Sequence, residues 1–244
     1  MIPLRDSNPT HRTPWVTLAI IAINAAVFIF WQGFPLAGPE SRGQVQTLVC
    51  YGVIPNEVTN LRPIPEVARF CGGDKSVIFS VFSSMFLHGS LLHIAGNLLF
   101  LWVFGNNIED RMGHVVFSLF YLAAGVAAVF AQVLPSPGSE VPLVGASGAI
   151  AGTLGAYLIL YPHARVVTLV PIWFFLHVMQ LPALVVLGFW FVLQAISSFT
   201  SFGGAAEQGG VAYLAHVGGF VFGVLVALLF YRGRRRPQPG YLEY

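Results

Sequence analysis

Three places in this 244-residue chain set chemically capable side chains inside long apolar runs: His88, His93 and Asn97 in one, Ser147 in a second and His216 in a third. A serine hydroxyl beside an imidazole is the pairing that acyl transfer needs, because the imidazole takes the hydroxyl proton as the oxygen attacks a carbonyl. His93 and Asn97 are four residues apart, so on a helix they share a face and meet the same cavity. Ser147 lies in a small-residue turn, Val144, Gly145, Ala146, Ser147, Gly148, Ala149, followed by helix-compatible residues. Such a serine also reads as an ordinary N-cap, and a lone intramembrane histidine reads as a helix-packing hydrogen bond. A helix start at Ser147 would also present free N–H groups and positive partial charge, which is where an oxyanion is stabilised. The pattern is not the nucleophile elbow of soluble hydrolases, since position 149 is Ala where that motif has Gly.

Glycines supply the geometry that would bring the two reactive groups together. Gly148 and Gly152, with Gly155 nearby, form one stripe of small residues; Gly219 and Gly223 form another, on the face of His216 at i+3 and i+7. Small residues on both helices let the backbones approach until Ser147 and His216 can hydrogen-bond. The same stripes also fit generic helix packing.

The elements that must do this positioning follow from composition. Charged residues make up 9% of the chain, 12 Lys and Arg against 10 Asp and Glu, and mean hydropathy is +0.73. An ordinary soluble domain carries about 25% charged residues, so the missing polar surface is apolar surface that lipid must cover. A soluble enzyme, a disordered chain and a nucleic-acid binder are excluded. The long neutral runs predict an all-α membrane protein of six transmembrane helices, near 16–34, 89–106, 114–134, 147–161, 182–199 and 211–231. Pro171 and Pro182 divide the run 166–206, whose first part reads as an interfacial segment near Trp173. The chain then divides into an N-terminal segment 1–15, a six-helix domain 16–231 and a basic tail 232–244.

Orientation follows from the loops. With both termini cytoplasmic, Arg5, Arg12, Arg111, Arg165, Arg232 and Arg234 to Arg236 lie inside, and only Arg42, Arg62, Arg69 and Lys75 lie in the large first outer loop, about 35–87. The expected location is the plasma membrane, multi-pass, with no cleavable signal peptide. Cys50 and Cys71 both fall in that loop and read either as a disulfide or as two free thiols. No metal site and no cofactor are expected. No mid-span acidic residue or internal repeat supports a proton-coupled transporter. The fourth run is short, so Ser147 would sit on the order of 8 Å below the outer surface.

These motifs together resemble the rhomboid family of intramembrane serine proteases, of the six-span bacterial type. The matching fragments are His88-Gly-Ser-Leu-Leu-His93-Ile-Ala-Gly-Asn97, Gly105-Asn-Asn-Ile-Glu109-Asp-Arg111-Met-Gly113, Gly145-Ala-Ser147-Gly148 and Ala215-His216-Val-Gly-Gly219, in the family's order after residue 75. The resemblance implies that Ser147 is the nucleophile, His216 the general base, and His93 and Asn97 oxyanion donors joined by the Ser147 N–H. It implies structural roles for His88, Glu109 and Arg111, and a mobile gate made by the fifth span with the loop near 200–210. Its substrates would be transmembrane helices of other proteins, cut within the lipid bilayer. An inactive relative that binds membrane proteins would be expected to have lost Ser or His. The chain departs from the family at two places: Phe79 and Ser80 stand where many members carry a Trp-Arg pair, and Ala151 stands where some place a Tyr on the catalytic histidine. The second departure leaves open what orients His216.

Overall fold

The computed structural model describes residues 1–36, 38, 41–73, 75–201 and 212–231. The loop near 200–210 lies almost entirely outside the described residues, and so does the basic tail. A short strand β1 (Ile2–Asp6) precedes α1 (Trp15–Ala26), which continues as a π turn to Trp31. Four short helices follow: α2 (Arg42–Tyr51), α3 (Pro55–Asn60), α4 (Pro65–Phe70) and α5 (Val77–Ser83). Then come α6 (Leu91–Met112), α7 (His114–Val133), α8 (Ser147–Leu160), strands β2 (Arg165–Ile172) and β3 (Phe175–Pro182), α9 (Ala183–Ser201) and α10 (Tyr213–Val226) with a π turn to Tyr231.

The protein is mostly helical. Among the described residues three helices, Leu91–Met112, His114–Val133 and Tyr213–Tyr231, are long and apolar enough to cross a membrane by length and composition; Trp15–Trp31, Ser147–Leu160 and Ala183–Ser198 are shorter apolar helices. Their ends are written in local chemistry. Ser90 caps α6 by accepting the His93 N–H, and Gly113, at φ 81°, makes the reversal into α7 that a β-carbon would strain. α6 runs six residues beyond the expected end at 106. Its polar last turns are satisfied there by the N-terminal segment: Asn107 donates to Asp6 (2.7 Å) and accepts from Asn8 (2.6 Å).

The all-α expectation needs correction at the ends of α8 and α9. β1, β2 and β3 form an antiparallel sheet, with Leu169 opposite Ile2 and Ile172 opposite Phe175 across a two-residue turn. The interfacial segment is therefore a hairpin, and the N-terminal segment is its third strand. Val166, Val167 and Val170 favour extended backbone because branching at the β-carbon fits a pleated sheet.

Between α1 and α6, a disulfide joins Cys50 to Cys71 and a fully buried ion pair joins Lys75 to Glu57 at 2.6 Å. Lys75 also donates to the Val49 carbonyl (2.7 Å), and Glu57 accepts the Ile64 N–H (3.0 Å). Burial pushes the Lys75 ammonium pKa down, and Glu57 beside it opposes the shift. This pair and the disulfide fasten a segment in which Phe79 is exposed and the Ser80 hydroxyl bonds within its own turn, to the Val77 carbonyl.

α8 is the central rod, buried from Gly148 to Tyr157. Its small residues let α10 come to backbone contact. A β-carbon on Gly219 would strike the Gly148 carbonyl, one on Gly223 the Gly152 carbonyl, and one on Gly155 the Phe220 carbonyl. Backbone on both sides cannot give way cheaply. Gly223→Ala is therefore expected to destabilise the fold by about 1–3 kcal/mol, the usual range for overpacking, read as a lowered melting temperature in detergent. Gly188→Ala on α9, where a β-carbon meets nothing within 4 Å, is the control and should be neutral or slightly stabilising.

Candidate active site

The start of α8 is built by a strained turn. Gly145 sits at φ 127°, a region closed to other residues, and donates its N–H to the Ser84 carbonyl (2.8 Å). Leu143 exchanges backbone hydrogen bonds with Val53, which ties this turn to the segment before α3 (2.7 and 3.1 Å). Ala146 is the N-cap and makes no side-chain cap bond, so Ser147 is the first helical residue and its hydroxyl is not spent on capping. Its N–H is among the first-turn groups that have no acceptor within the helix.

The Ser147 Oγ lies 2.8 Å from His216 Nε2. His216 stands one turn into α10, whose start is held by Gln132 of α7 accepting the Ala215 N–H (3.2 Å). Its other nitrogen, Nδ1, lies 2.7 Å from Gln194 Oε1 on α9, and its ring faces Trp190 (centroids 5.9 Å apart) and the edge of Tyr213 (6.4 Å). Trp190 comes from α9 and supplies an aromatic ring beside the imidazole, while Ala151 is fully buried in α8.

His93 stands on the first turn of α6. The Gly89 N–H donates to its Nδ1 (3.4 Å), which leaves the proton on Nε2 and makes that atom a donor. A β-carbon placed on Gly145 would lie 2.8 Å from His93 Nε2 and 3.5 Å from Ser147 Oγ, so these two atoms flank the same glycine. Asn97, one turn on along the same face, is buried, and its Nδ2 has no hydrogen-bond partner among the described residues. An amide left unpaired inside a protein costs about 1–3 kcal/mol, and this donor is free to meet an incoming acceptor. Ser147, His93 and His216 are each only partly buried.

His88 is fully buried. Gln32, just past the π turn that ends α1, clamps its backbone, accepting the N–H (3.0 Å) and donating to the carbonyl (2.8 Å), and the His88 ring stands edge-on to His93 at 5.1 Å. Burial disfavours the imidazolium and pushes its pKa down to about 3, so it buttresses His93 as a neutral ring. Glu109 lies at the far end of α6, where its carboxylate accepts the Val16 and Thr17 N–H groups (2.9 and 2.7 Å), the Thr17 hydroxyl (2.7 Å) and contacts His114 Nδ1 (2.6 Å). It caps α1. Arg111 reaches the Tyr231 carbonyl at the end of α10 (3.3 Å). Ser147, His216, His93 and His88 thus gather at one end of the bundle, with Asn97 a turn deeper on α6, and Glu109 and Arg111 brace the other.

Among the described residues no group of His, Cys, Asp or Glu could hold a metal ion. Sequence reasoning missed Gln194, Trp190 and Gln132; the signal for the two glutamines was the one used for the histidines, an amide inside an apolar run.

The family model of the Rhomboid domain matches residues 75–233, well over half of the chain. The chain belongs to the rhomboid family. Its similarity to Rhomboid protein 1, mitochondrial, of Saccharomyces cerevisiae is 31% identity over 150 residues, covering 60% of this chain and 40% of that protein. It is 28% identical over 215 residues to presenilin-associated rhomboid-like protein A, mitochondrial, of Danio rerio, covering 84% of this chain and 51% of that one. With rhomboid protease GluP of Bacillus subtilis it shares 46% identity over 72 residues, 30% of this chain and 14% of that protein. The chain spans about half or less of the length of these relatives. This rhomboid is a membrane protein, and two of these three relatives carry mitochondrial names.

Proposed function

We propose that this rhomboid is an intramembrane serine endopeptidase that cleaves transmembrane helices of other membrane proteins near the outer face. The observation that carries the reading is the 2.8 Å contact between Ser147 Oγ and His216 Nε2. His216 Nε2 takes the hydroxyl proton as Oγ attacks the peptide carbonyl, and the carbonyl electrons move onto its oxygen. That oxyanion is received by His93 Nε2–H, the Asn97 amide and the Ser147 N–H. His216 then returns its proton to the leaving amine, and water repeats the sequence on the acyl-enzyme. Helical substrates hide their carbonyls in hydrogen bonds, so those that unwind easily, with Gly or Pro and a small residue at the cut, are favoured.

The membrane arrangement belongs to the same proposal. α1, α6, α7, α8, α9 and α10 are the six spans, the segment carrying Cys50 and Cys71 is outside, and both termini and the sheet are inside at the plasma membrane. Three features support this orientation: it puts eight of the twelve basic residues on the inner side, it puts the Cys50–Cys71 disulfide on the outer side, and the hairpin tip is apolar on both faces. Trp173 and Phe174 at that tip are 91% and 94% exposed, with Phe175 and Leu176 beside them. Strand edges are not tolerated in hydrocarbon, so the tip fits the headgroup interface of the inner leaflet.

A fluorophosphonate probe tests the chemistry. Purified in detergent, the wild-type protein should be labelled, Ser147→Ala not at all, and His216→Ala only weakly. Equal labelling of all three rejects the reading.

A further inference from the structure

We infer that Gln194 is the positioning residue for the base His216, an assignment that rests on the serine-protease reading of the site. Its Oε1 lies 2.7 Å from Nδ1 of His216, while Nε2 of the same ring lies 2.8 Å from Ser147 Oγ. A neutral imidazole carries one proton on one of its two nitrogens. An acceptor at Nδ1 holds the proton there and leaves the Nε2 lone pair aimed at the hydroxyl. In the other tautomer Nε2 bears hydrogen and cannot take the serine proton. When His216 becomes an imidazolium during transfer, its Nδ1–H keeps the same acceptor, now in a charge-assisted bond. An amide oxygen does this without placing a carboxylate beside lipid.

The rest of α9 fits this task. Trp190 precedes Gln194 by four residues, on the same helical face, and lies along the imidazole. Phe191 stacks on Phe220 of α10 (centroids 4.4 Å apart), which sets the spacing between the two helices. The Ser198 hydroxyl donates to the Gln194 carbonyl (2.8 Å), so the backbone at Gln194 is itself fastened. The position of α9 and the tautomer of the base are thereby coupled: a shift of α9 by about 1 Å lengthens the Nδ1 contact beyond hydrogen-bonding range.

Full-length protein in detergent, compared as wild type, Gln194→Leu and Gln194→Glu, tests the assignment. Leucine keeps the volume and removes the acceptor; glutamate offers an oxygen at the same reach. Gln194→Leu is expected to lose about 100-fold in kcat on a fluorogenic transmembrane peptide with KM within about threefold, and to lose a similar factor in the rate of fluorophosphonate labelling. Gln194→Glu should recover to within about tenfold of wild type. In 15N spectra, the His216 signal, assigned by its disappearance in His216→Ala, should report the Nδ1–H tautomer in wild type and a mixture in Gln194→Leu. Unchanged rates and an unchanged tautomer in Gln194→Leu overturn the inference. Equal losses in both variants with a lowered melting temperature assign Gln194 to packing and overturn it as well. Labelling that persists in Ser147→Ala overturns the protease reading instead, and the tautomer measurement then decides the hydrogen bond on its own.

Discussion

Replacing Ser147 by alanine is expected to lower turnover of a reconstituted transmembrane substrate about a million-fold, and His216→Ala by a similar factor, with the double variant no worse than either single one. In the proposed mechanism the two side chains act as one unit through the 2.8 Å contact: without the imidazole the hydroxyl would keep its proton, and without the hydroxyl the imidazole would have nothing to activate. Independent contributions would multiply to about a trillion-fold, so the double variant separates a coupled pair from two unrelated polar residues. Activity that survives in all three variants would come from His93, Asn97 and the Ser147 N–H acting on water attack. A double variant far slower than both singles, or a His216→Ala protein within about tenfold of wild type, would remove the dyad from the mechanism. Melting temperatures must accompany these rates, because His216→Ala also strips Gln194 of its partner.

What the sequence made legible was whatever depends on spacing along one element. His93 and Asn97 face the same way because helical periodicity requires it, and the four-residue glycine stripes on α8 and α10 bring those helices to backbone contact. What it hid depends on partners far apart in the chain or on signals that lipid composition masks. The pairing of β1 with β2 joins residues 160 or more positions apart, and the hairpin turn at Trp173 and Phe174 carries no Gly, Asn or Asp to announce it. Trp173 takes the positive φ of 56° that such a turn needs, in a segment so apolar that it read as a membrane surface element. Glu57 and Lys75 lie 18 residues apart on separate pieces of an irregular segment, and neither marks the other in the sequence. Gln194 was visible as an amide inside α9, but periodicity does not fix how α9 is rotated against α10. Only the packing of Phe191 on Phe220 and Trp190 beside His216 turns that amide toward the ring.

Substituting Asn97 by leucine is expected to separate activity from stability. Asn97 is buried, and its Nδ2 has no partner among the described residues, so the resting protein bears the cost of a desolvated donor. Leucine has the same branched outline and no donor, though its two methyl groups are bulkier than the amide, and replacing an unsatisfied polar group by an apolar one of similar shape is neutral or stabilising, by up to about 1–3 kcal/mol. The melting temperature should therefore hold or rise. If Asn97 supplies a hydrogen bond only when the oxyanion forms, the same change should lower kcat about 100 to 1000-fold with little effect on KM, because the interaction is absent from the ground state. A residue kept for packing predicts the reverse pattern, a lowered melting temperature with kcat almost intact. On the proposed mechanism, stored cost at an unpaired donor and its release against developing negative charge are two sides of one arrangement, in which stability given up at Asn97 would spare reorganisation when the carbonyl oxygen arrives.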